Sequence, residues 1–325
     1  MTTATKSCLA ITGGVGGAKL ALGLSRQLSP EKLTIVANTG DDFEHLGLSV
    51  CPDLDTVMYT LANVADRESG WGQAGETWQF LAALEQLGGE TWFKLGDKDL
   101  ATHVVRTRER GQGKPLSLVT KELCQSLHIE HNLVPMSDDP VATLLHCQSG
   151  EVLAFQHYFV RDQCQPAING YSFSGIERAS RCSEFSRALL DPELGSIILC
   201  PSNPFVSVAP VLDLTDTAAV MARQPAPVIA VSPIVAGVAL KGPAAKMMAE
   251  LKMPSTALGV AEYYTDRYPG LLDALVLDIA DANEAAAVEA LGLQALVINT
   301  VMTTLPDREQ LAHDVLKFAA RLKRA

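Results

Sequence analysis

Five stretches of the chain carry residue types suited to holding or moving a phosphate. The first is Thr12-Gly13-Gly14-Val15-Gly16-Gly17-Ala18-Lys19. Glycines let the backbone turn tightly and let an anion come close, and a helix that follows offers unpaired N–H groups and a partial positive charge. The string is neither G-x-x-x-x-G-K-[ST] nor a clean G-x-G-x-x-G. A tight strand-to-helix turn without a ligand is therefore the competing reading. The second is Asn38-Thr39-Gly40-Asp41-Asp42, with Asp53 and Asp55 following in Pro52-Asp53-Leu54-Asp55-Thr56. Adjacent carboxylates beside a glycine suit Mg²⁺, a hard cation that takes oxygen ligands and bridges protein to phosphate. The plainer readings are a solvated turn for Asp41 and Asp42, and a helix cap for Asp53 or Asp55.

The third stretch joins Gly75-Glu76-Thr77-Trp78 to Trp92-Phe93-Lys94-Leu95-Gly96-Asp97-Lys98-Asp99. Tryptophans beside polar loops suit stacking on a planar ring, and Lys94 and Lys98 suit a phosphate. Core packing and solvated charge are the alternatives. The fourth is Cys200-Pro201-Ser202-Asn203-Pro204. The fifth runs from Ser232-Pro233-Ile234-Val235-Ala236-Gly237 to Lys241-Gly242-Pro243-Ala244-Ala245-Lys246. Small residues, an amide and lysines suit a purine edge and its phosphates. No nucleophile stands out: there is no G-x-S-x-G elbow and no H-E-x-x-H. The seven histidines lack ligand spacing, and His128 and His131 read as surface residues near a helix end. A transfer run by metal and positioning, without a covalent intermediate, fits that pattern.

These stretches need a frame that brings them together. Cys8–Thr12 reads as a strand, a helix begins near Ala18 with Leu20, Leu24 and Leu28 on one face, and Leu33–Ala37 reads as a second strand. That is the opening of a parallel α/β sheet. Helices are predicted at Leu54–Ala65, Glu76–Leu87, Asp99–Arg110 and Leu116–Leu127. Residues 141–190 differ: Val141–Cys147 and Val152–Val160 flank Gln148-Ser149-Gly150 as a hairpin. Strands return at Ser196–Cys200, Val228–Val231, Ala274–Ile279 and Ala295–Asn299, and a last helix covers Asp307–Leu322. The expected organisation is a core from 1–140 and 191–325 around a smaller insert at 141–190. All five stretches then fall beyond strand C-termini, the rim where open α/β sheets bind ligands.

Bulk properties narrow the classes. The 325 residues carry 26 basic and 37 acidic side chains, a net charge of −11. That argues against nucleic acid as the partner, because phosphate backbones need a basic face. Seven scattered cysteines without a C-x-x-C pair read as reduced thiols. The N-terminus lacks a signal-peptide core, and no apolar run approaches the roughly 18 residues that span a bilayer. The expectation is a cytoplasmic protein with no membrane partner.

Together the motifs resemble the 2-phospho-L-lactate transferase family. The matching strings are Thr12–Lys19, Asn38–Asp42, Pro52–Thr56, Leu95–Thr102, Pro135–Pro140, Ser202–Pro204 and Ser232–Lys246, in the family's order and across nearly the whole chain. A related group of gluconeogenesis factors, non-catalytic nucleotide or nucleotide-sugar binders, shares the glycine-rich opening but continues its paired-Asp loop with Gly and Ser. Here Phe43-Glu44-His45 follows Asp42, which favours the transferase branch. A nicotinamide oxidoreductase is disfavoured, since Asn38 and Thr39 stand where an acidic residue would end the second strand.

The resemblance implies an α/β fold, a Rossmann-like mostly parallel sheet with helices on both faces plus a smaller inserted α+β domain. It implies a reaction in which the ribityl hydroxyl of Fo attacks a guanosine-diphosphate-activated three-carbon acid and GMP leaves, in the making of coenzyme F(420). Mg²⁺ would be held by Asp41 or Asp42 with help from Asp53, and Asp53 would alternatively orient or deprotonate the Fo hydroxyl. Thr39, Asp53 and Trp78 would lie at the deazaflavin. Gly13, Gly14, Gly16, Gly17, Ser202, Asn203 and the segment from Gly237 through Lys241 to Lys246 would hold the guanosine phosphates, with Lys19, Lys94 and Lys98 completing the binding set. The resemblance also implies a homodimer. The identity of the acid, whether phospholactate, phosphoenolpyruvate or 3-phosphoglycerate, stays open.

Overall fold

The computed structural model describes residues 6–66, 68–239 and 242–322. From the N-terminus, β1 (Ser7–Thr12), α1 (Gly14–Gln27) and β2 (Leu33–Ala37) lead to a small hairpin, β3 (Phe43–His45) and β4 (Leu48–Val50). Then come α2 (Pro52–Leu61), α3 (Gln79–Gln86), α4 (Asp97–Gly111), α5 (Leu116–Ser126) and β5 (Asn132–Pro135). Strands β6 (Ala142–Cys147), β7 (Val152–Ala154) and β8 (Ile168–Ser174) form an antiparallel sheet, followed by α6 (Ser183–Leu189). The rest runs β9 (Leu194–Leu199), α7 (Ala209–Asp213), α8 (Thr217–Arg223), β10 (Val228–Val231) and a two-strand turn, β11 (Ile234–Val235) and β12 (Val238–Ala239). It ends with α9 (Ala244–Glu250), α10 (Ala257–Arg267), β13 (Ala274–Asp278), α11 (Ala285–Ala290), β14 (Gln294–Ile298) and α12 (Leu305–Ala319).

Seven strands make one parallel sheet in the order β14-β13-β10-β9-β1-β2-β5. The chain winds from β1 outward to β5, then returns beside β1 and winds the other way. The strand order reverses between β1 and β9, so the crevice outside their carboxyl ends is the place for a ligand. Side chains alternate between two cores, as the pleat requires. Leu9, Ile11, Ile197 and Leu199 face the antiparallel sheet, where Leu145, Ile168 and Phe173 join them in one cluster. Cys8, Ala10, Ile198 and Cys200 face α1, α2 and α12. With both faces covered, the central strands read as unbroken apolar runs. Among the described residues, no single helix is long and apolar enough to cross a membrane.

Several local expectations change. The first helix begins at Gly14, so three glycines lie in its first turn. A Cβ at Gly16 would overlap the Pro201 carbonyl, and one at Gly17 would overlap the Thr12 hydroxyl. These glycines therefore press α1 against the 200–202 loop, a packing demand the sequence string does not distinguish from ligand approach. Strand β7 stops at Ala154, and His157–Arg161 form a wide helical turn instead of extending the hairpin. Helix α3 starts at Gln79, three residues later than expected. Strand β5 was not anticipated; it is four residues long and ends at a proline. His128 is exposed with φ of 57°. His131 is half-buried instead of exposed, its Nε2 3.0 Å from the Leu28 carbonyl.

Gly23 marks the crossing of α1 and α12, where an added Cβ would overlap the Arg308 carbonyl and lie 3.2 Å from the Ala312 methyl. Gly23→Ala is expected to push the helices apart and cost about 1–3 kcal/mol. Thermal unfolding checks this; an unchanged Tm would refute the close crossing.

Candidate functional site

The switch-point crevice is closed at its base by a reciprocal pair of hydrogen bonds. Ser202 Oγ donates to the Gly13 carbonyl at 2.7 Å and accepts from the Gly13 N–H at 3.0 Å. This fastens the turn after β1 to the loop after β9. Asn203 then accepts from the N–H groups of Phe205 and Val206 at 2.9 and 3.4 Å, starting the helical segment 204–213. That segment brings Ser207 beside Gly13: an added Gly13 Cβ would stand 2.6 Å from the Ser207 Cβ.

Asn38, at the end of β2, is the hub. Its Nδ2 lies 2.7 Å from Asp41 Oδ1, 3.0 Å from Asp53 Oδ2 and 3.2 Å from the Val206 carbonyl, while its Oδ1 accepts from the Gly40 N–H at 2.8 Å. Gln156, from the segment after β7, donates to Asp41 Oδ2 at 3.3 Å. Asp53 reaches the cluster from the first turn of α2, and its carboxylate lies 2.5 Å from where a Gly13 Cβ would be. Asp41 and Asp53 are both buried. Burial pushes the Asp53 carboxyl up to about 6, against hydrogen bonds from Asn38, the Gly14 N–H and Ser207 that pull it down. Asp41 is raised well above the ordinary range by burial first, then by the charges of Asp53 and Asp42.

This donor set fits a divalent cation. Two carboxylates converge in a buried place where their hydrogen-bond partners are neutral, and both resist ionisation, the condition a hard cation relieves. Asp42 is differently placed. Burial raises its carboxyl too, but it is paired with the Cys51 thiol and lies in the field of Arg106. It does not share the Asn38 amide. Neither Asp53 nor Asp55 caps α2: the cap position is Cys51, with no side-chain bond. Two residues apart on a helix, the carboxylates turn to opposite sides, Asp53 to Asn38 and Asp55 to Arg106. Asp55, Asp99 and His103 also converge, but the Arg106 guanidinium already serves there as the cation.

The other expected residues scatter along the rim. The loop before α3 returns over the glycine turn, so that a Cβ at Gly70 would lie 3.2 Å from the Val15 side chain. It carries Trp71, which meets Trp78 edge-on at 6.5 Å; both rings are over 40% exposed, 44% and 42%. Trp92 instead packs with Phe43, His45, Phe93 and His157. Thr39 is buried, and its hydroxyl has no hydrogen-bond partner among the described residues. Lys94 is exposed. The ammonium of Lys19 reaches the Met302 carbonyl at 3.0 Å, and that of Lys98 the Ala74 carbonyl at 2.7 Å. Lys246 is held by Glu250 at 2.5 Å, with Tyr158 and the Pro166 carbonyl at 3.2 Å. Gly237, φ 77°, forms the tip of the β11–β12 turn, pinned where Ser255 donates to its carbonyl at 3.1 Å. Lys241 lies outside the described residues.

Three members of the cluster had escaped the sequence reading. Asn38 sat inside a recognised string, but its sharing between two carboxylates depends on α2 folding back. Gln156 and Ser207 carry no spacing signal.

Sheet order, glycine turn and paired carboxylates define a Rossmann-type α/β protein with a buried carboxylate cluster at its switch point. The sequence model of 2-phospho-L-lactate transferase CofD matches residues 8–300, and the chain belongs to this family of transferases. It is 38% identical to a phosphoenolpyruvate transferase of Streptomyces avermitilis, over 96% of this chain and 98% of the relative. It is 35% identical to a 2-phospho-L-lactate transferase of Methanosarcina mazei, over 94% and 98%. Among solved structures, a UPF0052-family protein from Bacillus halodurans superposes with a TM-score of 0.64 over 98% of this chain and 99% of its own, at 13% identity. That likeness supports the α/β architecture.

Proposed function

We propose that this transferase moves a phosphorylated three-carbon acid from a guanosine-diphosphate-activated donor to the ribityl hydroxyl of Fo, releasing GMP, in the assembly of coenzyme F(420). The observation that supports it most is the Asp41–Asn38–Asp53 cluster set against Gly13. Asp41 and Asp53 would hold Mg²⁺, with Asp42 behind them. When bound, the ion neutralises charge that develops on the phosphoryl oxygens and the leaving group. The chain's own groups do the rest. The N–H groups of the first turn of α1 after Gly14, whose own N–H is taken by Asp53, would face the donor phosphates, and Ser202 and Asn203 keep the two loops in register. Asn38 fixes both carboxylates against rotation. Asp53 has a second role open to it, since a carboxyl held near 6 is suited to take a hydroxyl proton near neutral pH. The exposed Trp71–Trp78 pair offers a face for the deazaflavin ring. The same reading carries a cytoplasmic homodimer, checked by sedimentation and fractionation.

The relatives are named for two different acids. One incubation therefore tests reaction and donor together: protein, Mg²⁺, Fo and guanosine-activated phospholactate, phosphoenolpyruvate and 3-phosphoglycerate, read by mass spectrometry. A phosphodiester of Fo with release of GMP is expected from at least one donor. Guanine-nucleotide binding with no turnover of any donor would overturn the proposal in favour of a nucleotide-binding regulator.

A further inference from the structure

Behind the carboxylate pair lies a second polar cluster that the proposed reaction does not use directly. Arg106, on α4, is fully buried, and among the described residues no other lysine or arginine is. Its two terminal nitrogens grip both oxygens of Asp55, Nη1 to Oδ2 at 3.0 Å and Nη2 to Oδ1. Nη1 also reaches the Ser49 carbonyl at 3.3 Å and His103 Nδ1 at 3.2 Å. Two helical turns before Arg106, Asp99 accepts from the Tyr59 hydroxyl at 2.7 Å, and His103 Nε2 stands 3.3 Å from the same oxygen. Thr107 Oγ1 accepts from the Ser49 N–H at 2.8 Å. Helix α4 thus clamps residues 49–59 from behind, in the middle of β4, in the first turn of α2 and one turn further on.

The clamp has a direction. Asp53 and Asp55 are two residues apart, about 200° around the helix. Fixing the Asp55 carboxylate fixes the rotation of the first turn, and with it where Asp53 points. A buried ion pair is a poor means of adding stability, because apolar replacements of similar volume are often neutral or better. A planar guanidinium fork does impose orientation, since both of its hydrogen bonds must be met at once. We propose that Arg106 is a positioning residue: through Asp55 it sets the rotation of α2 that presents Asp53 to the divalent cation and the Gly13 turn. The inference rests on the reading of Asp41 and Asp53 as cation ligands.

The test compares Arg106→Met, Arg106→Lys and Asp55→Asn with Gly23→Ala, which loosens α1 against α12 and touches no part of this cluster. Mn²⁺ binding is measured by electron paramagnetic resonance without substrates, alongside Tm, kcat and KM. Arg106→Met is expected to weaken Mn²⁺ binding by about tenfold or more, as loss of groups that orient metal ligands does. It is also expected to lower kcat by a similar factor while KM for the donor stays within about threefold. Arg106→Lys, one point charge in place of a fork, recovers part of both. Gly23→Ala lowers Tm and leaves Mn²⁺ binding as in the parent. Arg106→Met with lowered Tm and parental Mn²⁺ affinity would overturn the inference. Where Arg106→Met does not fold, Asp55→Asn, of nearly the same shape, decides by the same measurements. An Asp53→Asn protein that still binds Mn²⁺ like the parent sinks this inference and the cation site together. Loss of binding in Asp53→Asn with none in Arg106→Met or Asp55→Asn sinks only the positioning role.

Discussion

Asp53→Asn should lower turnover by about a thousandfold or more while making the metal-free protein more stable at neutral pH. The two effects have one origin. Asp53 is buried beside Asp41, and its carboxyl is pushed up to about 6 from an ordinary 3.8. A carboxyl whose folded pKa exceeds its unfolded one keeps its proton in the folded state after the unfolded chain has released it. Stability is therefore lost as pH rises from about 4 to about 6 and stays lost above that. At 1.36 kcal/mol per pKa unit the cost is on the order of 2–3 kcal/mol. Asparagine does not ionise, so with chelator present Tm should rise at pH 7.5 and change little at pH 4.5. Part of the gain is forfeited, because the amide NH₂ must face one of the donors that now reach the carboxylate, Asn38, the Gly14 N–H or Ser207. The activity loss is placed in the upper part of the 10²–10⁴-fold range of a simple base, because the same substitution also removes a cation ligand and half of the Asn38 arrangement. Thermal scans with and without chelator, beside single-turnover assays, check both halves. Near-parental turnover would remove Asp53 from the site altogether.

The architecture was legible because a doubly covered parallel sheet writes itself as apolar runs. Leu33–Ala37 and Val228–Val231 fall where the runs do, and β9, β13 and β14 are within two residues of expectation. Where an element depends on partners and not on pattern, the reading drifted. β5 is short, ends at Pro135 and gains its partner only by lying beside β2. His157–Arg161 continues an apolar stretch, yet the chain coils there so that Gln156 can reach Asp41. The site shows the same divide. Gly13, Asp41, Asp53 and Ser202 all stand in strings that the sequence singles out, and the fold brings the four together. Lys98 and Lys246 stand in recognised strings, but a string does not reveal that the Ala74 carbonyl and Glu250 lie within reach of their ammonium groups. The contacts of Asn38 with Asp53, of Gln156 with Asp41 and of Ser207 with Gly13 each join residues more than a dozen positions apart. Arg106 is the sharpest instance: in the sequence it is one of several arginines on a helix face, and only the fold of α2 onto α4 makes it the counter-ion of Asp55.

Gly13→Ala should cost at least about a hundredfold in kcat with only a moderate loss of stability. Gly13 is extended, φ −157° and ψ 147°, a conformation open to every residue, so alanine meets no backbone penalty. The methyl, however, would stand 2.5 Å from Asp53 Oδ2 and 2.6 Å from the Ser207 Cβ. Something must move by about an ångström, and the candidates are unequal. Ser207 belongs to a buried helical segment that Asn203 anchors. Asp53 is an unbranched side chain whose helix is held from behind by Arg106, so its carboxylate is the part that yields, away from Asn38 and Asp41. Misplacing a reacting group by about 1 Å is worth roughly 10²-fold, whereas overpacking costs about 1–3 kcal/mol of stability. Gly14→Ala supplies the contrast. Its φ of 60° penalises any side chain by about 1–2 kcal/mol, but its methyl would lie 3.5 Å from Asp53 Oδ1, an ordinary contact. Gly14→Ala should therefore lose stability with kcat within about tenfold of the parent. Measuring Tm and kcat on the pair separates a turn that merely fits from one that shapes the carboxylate site; a Gly13→Ala enzyme more active than Gly14→Ala would show that the turn does not set the position of Asp53.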